Sequence, residues 1–340
     1  MLTRRELLAS AAAATAALVA VAATAPWSPK RSGATAPFRA YTSDSFFKSQ
    51  VLGAPVDSAR TTAFRSFMKA HIDQSGTPYP VIRGVAGDKL GMPYAMGLAD
   101  DPVWKLTDTV PSTVEFLKTT GFTAPEYLGA MLTGTSDSPF VVIDRANGMT
   151  VWGAKAKVVG PYLISVGAAG AFSHASNGLD RRNPRSDSNS NFRSRGAIPD
   201  AMMIRRDLVD WGIANDTDLG HVLHLFMVET LTADGFCHPM VGEESSKHGF
   251  GAEGERIAIS PTVKVAARGL SPTGLVIART LQNYGAYFGD NAGAQTALKA
   301  EQTSTALDVW GTSLTATTLK NITWDDFVVL PQGWQKDQEI

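Results

Sequence analysis

Apolar residues in the middle of the chain come in short runs that are bounded by glycine, proline or asparagine. Three of these runs, at 79–83, 140–144 and 149–152, are rich in β-branched and aromatic residues, which is typical of β-strands. An Asn-Gly dipeptide separates the second run from the third and predicts a hairpin turn. A further run at 324–330 predicts a strand near the end of the chain.

Two segments, 61–71 and 272–288, instead repeat their apolar residues at helical spacing. The second has the clearer boundaries, because Ser271 is placed to cap a helix and Pro272 fits its first turn. Gly289 follows its last apolar residue and predicts the stop. We therefore predict a short helix over the first segment and a longer helix over the second.

Many short strands with few helices predict a mainly β fold. The expected form is an antiparallel β-sandwich or jelly-roll-like single domain with a few helices, covering residues 46–335. The sequence has no repeat of fixed period and no convincing second domain.

The first 25 residues have the pattern of an export signal. Arg4 and Arg5 precede an uncharged, alanine-rich run over 9–25, which predicts a twin-arginine signal peptide at 1–25 and a linker at 26–45. The alternatives are an ordinary secretory signal and a retained membrane anchor, although alanine contributes little to membrane insertion. We predict an extracytoplasmic or secreted protein that uses the twin-arginine machinery and keeps no stable membrane span after processing.

The composition narrows the choice of partners. The net charge is −1 and provides no basic field, so we predict no nucleic-acid partner. The chain has one cysteine, Cys237, so no intrachain disulfide can form. Cys237 precedes His238, but neighbouring residues on a strand point to opposite faces, which disfavours a nucleophile–base pair.

Candidate chemistry begins with the histidines. His221 and His224 stand three apart in a β-branched and aromatic run, where odd spacing sends them to opposite faces, so we predict no metal site. His224 is interpreted as either a packed core residue or a general acid or base. His238 and His248 follow on glycine-rich connections, and either is a possible partner of His224.

A second group of candidates lies at the predicted end of the 272–288 helix. Tyr284 and Asp290, together with a histidine, would form a cluster able to exchange protons with a sugar. The alternative for Asp290 is simple turn formation.

Three further residues are candidates for substrate binding. Arg145 and Arg182 offer guanidinium groups for anions, although a solvated, flexible loop is the favoured interpretation of the arginine-rich stretch at 173–195. Trp152 offers an aromatic platform. The identity of any cofactor stays open, because no phosphate-binding loop, dinucleotide fingerprint, nucleophile elbow or His-Glu-x-x-His motif is present.

The order of several segments resembles a family of secreted actinobacterial and fungal proteins, also found as modules of larger cell-surface and tail-associated proteins, with no firmly assigned activity. The resemblance rests on 142–148, a loop rich in glycine and asparagine, Ile198-Pro199, the strand with His224, and best on 270–293. Where such relatives have His-Ala-Leu-Arg, this chain has His-Leu-Phe-Met. The resemblance implies a secreted β-rich fold and no particular reaction.

The leading functional hypothesis is a secreted carbohydrate-active enzyme, a glycoside hydrolase or polysaccharide lyase acting on a cell-wall or environmental glycan. A polysaccharide is therefore the expected partner. One alternative is a non-catalytic glycan- or surface-binding module, which would need Trp104, Trp152 or Trp211 to be exposed. The other alternative is a structural surface protein.

Overall fold

A computed structural model of the chain describes residues 36–74, 76–178, 203–304 and 307–334. The predicted signal peptide and the first ten residues of the predicted linker lie outside these ranges. The described residues from Pro37 onward belong to one compact unit. None of their helices is long and apolar enough to cross a bilayer.

The helices begin where the sequence offers caps. The backbone N–H of Arg60 donates to Asp57 at the start of the first long helix, and the N–H of Gly274 donates to Ser271 at the start of the last. The α-helices are α1 (Ser58–Ile72), α2 (Phe116–Thr119), α3 (Leu128–Met131), α4 (Arg206–Ala214) and α5 (Pro272–Asn283).

The strands are short, as their bounding glycines and prolines predict. They are β1 (Val81–Arg83), β2 (Tyr94–Gly97), β3 (Val103–Asp108), β4 (Phe122–Thr123), β5 (Phe140–Asp144), β6 (Met149–Ala154), β7 (Lys157–Gly160), β8 (Leu163–Val166), β9 (Ala168–Ser173), β10 (Met203–Ile204), β11 (Leu223–Met227), β12 (Arg256–Ile259), β13 (Ala286–Asn291), β14 (Ala297–Ala300) and β15 (Phe327–Val329). The predicted closing strand is thus confirmed, shortened by a 3₁₀ turn over Trp324–Asp326.

The strands form three sheets. The largest has the order β1-β14-β11-β13-β12-β15, with β10 also paired to β14. The other two have the orders β2-β5-β6-β9 and β4-β3-β8-β7 and are called here the middle and outer sheets. Each sheet contains a parallel pair, namely β11 with β13, β2 with β5, and β3 with β8. The predicted mainly β class is confirmed, while the strand pairing is mixed and not purely antiparallel.

Three apolar cores separate the layers. The first core lies between helices α1, α4 and α5 and one face of the largest sheet, and it includes Phe64, Leu208, Leu225, Ile277 and Phe288. The second core joins the opposite face of that sheet to the middle sheet and includes Val141, Trp152, Val222, Phe226 and Tyr287. The third core joins the middle and outer sheets and includes Leu106, Phe140, Val142 and Ile164.

The position of the middle sheet explains why the run at 140–144 is continuously apolar. Val141 and Ile143 enter the second core, while Phe140 and Val142 enter the third. A strand that is buried on both faces loses the alternation of apolar and polar residues that a half-exposed strand shows.

The predicted hairpin that joins β5 to β6 is confirmed. Four residues connect the strands, and Gly148 alone among them has a positive φ, at 67°. The side-chain amide of Asn147 donates to Asp144 Oδ2 at 2.7 Å. Asn147 therefore stabilises the turn through its side chain and not through a left-handed backbone.

The last helix ends five residues before Phe288, so the predicted extent of 272–288 is wrong. The N–H groups of Tyr284 and Gly285 both donate to the carbonyl of Thr280, and Gly285 has a φ of 69°. This left-handed glycine ends the helix, and the chain continues at once as β13. Leu281 and Phe288 enter the same core from a helix and a strand, which is why the apolar pattern runs across the boundary.

Candidate functional site

The parallel strands β11 and β13 end at the same edge of the largest sheet, at Met227 and Asn291. Ligand sites commonly form at the carboxyl ends of parallel strands, because the loops that leave the strands meet there. Asn291 fixes this edge, since its Oδ1 accepts the backbone N–H of Thr230 at 2.7 Å. The connection from β11 to β12 supplies the remaining groups of the candidate site.

The centre of the candidate site is a pair of carboxyl groups. The side chains of Glu244 and Asp290 are hydrogen-bonded to each other, and both residues are half-buried. Burial raises the pKa of Glu244, and the hydrogen bond and negative charge of Asp290 raise it further. Lys247 Nζ lies 3.3 Å from Glu244 Oε2 and opposes this shift. The raised pKa favours the protonated form of Glu244, which suits this carboxyl group to donate a proton.

Hydrogen bonds to Glu253 and Thr232 hold the connection that carries Glu244. The backbone N–H of Glu244 donates to Glu253 Oε1 at 3.0 Å, and Glu253 is fully buried. Thr232 Oγ1 donates to the carbonyl of Glu244 at 2.6 Å and accepts the N–H of Lys247 at 2.9 Å. Glu244 and Lys247 are therefore held by the fold although they lie on a loop.

Asp290 reaches the pair because of an irregularity in β13. His224 pairs with Tyr287 and Leu225 with Phe288, but Phe226 pairs with Asp290, so Gly289 is an extra residue. A Cβ at Gly289 would overlap the imidazole of His224. Only glycine leaves room for His224 at this position.

His224 lies on β11 as predicted, with 2% of its surface exposed. Its ring contacts Phe226 at a centroid distance of 4.7 Å and packs against Gly289, next to Asp290. The structure thus buries His224 on the second-core side of the sheet, against the glycine that precedes Asp290. Its role as an acid or base stays a prediction.

His238 is half-buried and packs on the same core, with its ring 5.5 Å from that of Phe46. Burial raises the pKa of the preceding Cys237 thiol to about 11, which keeps the sulfur protonated and makes it a poor nucleophile. His248 is exposed and forms a backbone bridge with Leu231.

Tyr284 is not brought to the carboxyl pair. It ends α5, and its hydroxyl accepts a hydrogen bond from Gln50 Nε2 at 3.2 Å. Asp290 belongs to β13 and not to a turn after the helix, so most of the length of the strand separates the two residues. The predicted tyrosine–carboxylate cluster is therefore wrong in its geometry.

The predicted substrate-binding residues are also spread apart. Arg145 is exposed in the β5–β6 turn, where its guanidinium lies 5.0 Å from the centre of the Phe38 ring. Trp152 is only 4% exposed and belongs to the second core, so it cannot act as a binding platform. Its place on a strand with two covered faces explains the burial. Arg182 lies outside the described residues.

Two site residues escaped prediction from the sequence. Glu244 is one of two adjacent acids on a glycine-rich connection, and nothing in the sequence says which of them meets Asp290. Lys299 on β14 is a further cation on this face of the sheet, where its Nζ lies 4.0 Å from the centre of the ring of Phe226, the strand neighbour of Asp290. The order of the strands, which places β14 and β13 on either side of β11, is what brings these groups together.

Within the part of the chain that the structure describes, no group of three or more His, Cys, Asp or Glu side chains is arranged to hold a metal ion. Protein-family models, curated proteins and solved structures give no match to this chain. The resemblance to a secreted family therefore stays a prediction, and the geometry of the site carries the functional proposal.

Proposed function

We propose that the protein is an exported carbohydrate-active enzyme and that Glu244 and Asp290 form its proton-transferring group. The observation that supports this proposal is the hydrogen-bonded carboxyl pair at the carboxyl ends of β11 and β13. A carboxyl group with a raised pKa stays partly protonated nearer to neutral pH, where it can act as a general acid. In this proposal Asp290 is the ionised partner and acts as the base.

The short distance between the carboxyl groups of Glu244 and Asp290 limits the classes of reaction that the pair can catalyse. The two carboxyl groups of a glycoside hydrolase usually stand about 5–5.5 Å apart in retaining enzymes and about 6.5–9.5 Å apart in inverting enzymes, which leaves room for the sugar or for water. Hydrogen-bonded carboxyl groups are closer than either separation. Glu244 and Asp290 therefore act as one acid–base unit, and a hydrolase would need a further carboxylate.

A polysaccharide lyase fits this unit better than a hydrolase does. The ionised carboxylate would take the proton on the carbon next to a uronate carboxylate, and the electron pair of that C–H bond would form a carbon–carbon double bond. The bond to the glycosidic oxygen would break at the same time, and this oxygen would leave with a proton from the acid. The positive charge of Lys247, beside Glu244, would stabilise the negative charge that builds up on the uronate. The proposed substrate is accordingly a uronate-containing polysaccharide.

The finer architecture belongs to the same proposal. We regard the largest and middle sheets, which enclose the second core, as the sandwich expected for the fold, with helices covering the outer face of the larger sheet. The rival binding module receives less support, because two of its three candidate tryptophans, Trp104 and Trp152, are 3% and 4% exposed, and only Trp211 is partly exposed. Such a module needs aromatic rings at its surface.

The experiment is a screen of the purified mature protein against uronate-containing and neutral polysaccharides. Ultraviolet absorbance from unsaturated products reports a lyase, and new reducing ends without absorbance report a hydrolase. Glu244→Gln should lower turnover by about a hundredfold or more, while the neighbouring change Glu243→Gln should leave it near the wild-type level. Equal activity of Glu244→Gln and wild type would remove the carboxyl pair from the mechanism.

Export is tested separately from activity. Changing Arg4 and Arg5 together to lysine should block secretion and leave the folded body intact, because the export machinery reads the arginine pair. Secretion of the double variant at the normal level would contradict the twin-arginine signal.

A further inference from the structure

A small pocket lies at the amino end of β11, at the end of the strand opposite the carboxyl pair. Gly220 and His221, which directly precede the strand, form one wall together with Phe47. Arg39 and Lys48 are half-exposed at its mouth, and Arg205 is buried below them. The free space measures about 10 Å³, which is room for about one water-sized particle.

The pocket carries more positive than negative charge. Among the described residues, three cationic side chains line it and two acids lie near them. Asp207 accepts hydrogen bonds from Arg205 Nε at 3.0 Å and from a terminal guanidinium nitrogen at 2.5 Å, and Asp218 lies near Arg39. Lys48 Nζ donates to the carbonyl of Tyr41 at 2.5 Å. Burial lowers the pKa of Arg39, and the positive charge of Arg205 lowers it further. The two guanidinium groups therefore repel each other across the pocket.

His221 contributes an unpartnered polar atom to this charged surface. The residue is 4% exposed, and its ring stacks on Phe47 at a centroid distance of 4.9 Å. Nδ1 donates to the carbonyl of Val222 at 2.9 Å, whereas Nε2 has no partner among the described residues. A buried polar atom without a partner is costly, and such atoms commonly mark a bound water or ion.

We propose that this pocket binds a small inorganic anion of about the size of chloride. Arg39 and Arg205 supply the attraction, and the anion offsets their mutual repulsion. The available space excludes a tetrahedral oxyanion such as sulfate. The site is separate from the carboxyl pair and does not depend on the proposed reaction.

Anion binding should be coupled to protonation of His221. Burial, and then the charges of Arg205 and Arg39, lower the pKa of His221 to about 4, while Asp207 acts in the opposite direction. Lys48 adds a third cation at the mouth. A bound anion would cancel these positive charges and accept a hydrogen bond from protonated Nε2. We therefore expect the anion to raise the pKa of His221 and to bind more tightly as the pH falls.

The test measures the pKa of His221 by NMR on histidine-labelled protein, in sodium chloride and in sodium gluconate at equal ionic strength. Gluconate is too large for the pocket. Chloride should raise the pKa of His221 by about one unit or more, equivalent to a tenfold preference for the protonated form. The thermal midpoint should also be higher in chloride.

Arg39→Gln should abolish the difference between chloride and gluconate, while Lys157→Gln, which removes an exposed cation on β7, should preserve it. Identical titration of wild-type His221 in both salts would show that the pocket holds only water and would overturn the proposal. An equal effect of sulfate would overturn the assignment to a chloride-sized ion. Both of these outcomes are read on the wild-type protein, so they do not require the Arg39 variant to fold.

Discussion

On the face of β11 that the helices cover, Leu223, Leu225 and Met227 follow one another without a polar side chain. The opposite face of the same strand presents His224 and Phe226 toward the middle sheet, next to Val222, which directly precedes the strand. Strand β13 repeats the difference. Ala286 and Phe288 enter the helical core, whereas Tyr287 lies in the core between the sheets and Gly289 contacts His224.

The two faces of this pair of strands therefore differ in role: one contributes stability and the other carries polar groups. Burial of apolar surface stabilises a fold without requiring hydrogen bonds, so the helix-covered face can contribute stability with no polar cost. Polar groups on the other face need hydrogen-bond partners when they are buried. They are therefore restricted to positions where the fold supplies such partners. The candidate chemistry of this protein lies on that second face and at its edge.

The largest change in stability is expected for a substitution on the helix-covered face. Phe288 is fully buried and packs against Phe64 and Phe250, with ring centroids at 6.0 and 6.2 Å. Phe288→Ala should lower the free energy of unfolding in urea by about 3–5 kcal/mol, through lost burial and a cavity. The matched control is Phe236→Ala, which removes a ring that is 50% exposed and should cost about 0.5 kcal/mol or less. A loss below about 1 kcal/mol for Phe288→Ala would contradict the comparison.

Asp290→Asn tests the edge of the second face. Turnover on the substrate found in the screen should fall by about a hundredfold or more, which corresponds to about 2.7 kcal/mol in the activation barrier. The free energy of unfolding should change by less than about 1 kcal/mol, because Asp290 is half-buried and an amide can still form hydrogen bonds. Asp325→Asn, at an exposed acid of the same type, is the control. Retention of more than a tenth of the activity would exclude Asp290 from the reaction.

Gly289→Ala tests the contact between β13 and His224, where the second face of the sheet reaches the candidate site. The new methyl group would overlap the imidazole of His224, and overpacking of this kind costs about 1–3 kcal/mol. Adding His224→Ala should recover part of that loss, since the small side chain vacates the space. A double-mutant cycle measures the coupling, and additivity within about 0.5 kcal/mol would show that the two residues do not interact.

The smallest expected effect is a change in how the free energy of unfolding depends on pH. Because the pKa of Glu244 is raised in the folded protein, the native state binds a proton more tightly than the unfolded chain. Stability should therefore fall as the pH rises above the ordinary glutamate range, through the window between the unfolded and folded pKa values. Glu244→Gln should flatten this part of the urea-derived stability profile, whereas Glu243→Gln should retain it. An unchanged slope in Glu244→Gln would contradict the raised pKa.

Local patterns predicted the elements that depend on neighbouring residues. The β5–β6 hairpin follows from two apolar runs around a turn dipeptide, and the start of α5 follows from Ser271 and Pro272. The end of α5 did not follow, because Leu281 and Phe288 serve one core and keep a common apolar pattern across the break. Periodicity reports which residues are buried and does not by itself report a change from helix to strand.

The residues of the candidate site also fall into two groups, those that the sequence indicated and those that needed the structure. The sequence by itself singled out His224, Asp290 and the glycine-rich connection at 233–249, because these carry ionisable groups beside turns. It could not pair Asp290 with Glu244 or remove Tyr284 and Trp152 from the site. Those outcomes depend on the extra residue at Gly289, on β13 lying next to β11, and on a middle sheet covered on both faces.

The sequence alone determined the elements whose free energy comes from nearby residues: the capped start of α5, the hairpin after β5 and the short buried strands. Only the tertiary structure decided which acid meets which, which tryptophans are covered, and where the anion pocket lies. Hydrogen bonds and charge interactions act over a few ångströms in space, whereas the groups that they join here are separated by tens to hundreds of residues along the chain. Glu244 and Asp290 form a pair because strand order, register and one additional glycine bring them together.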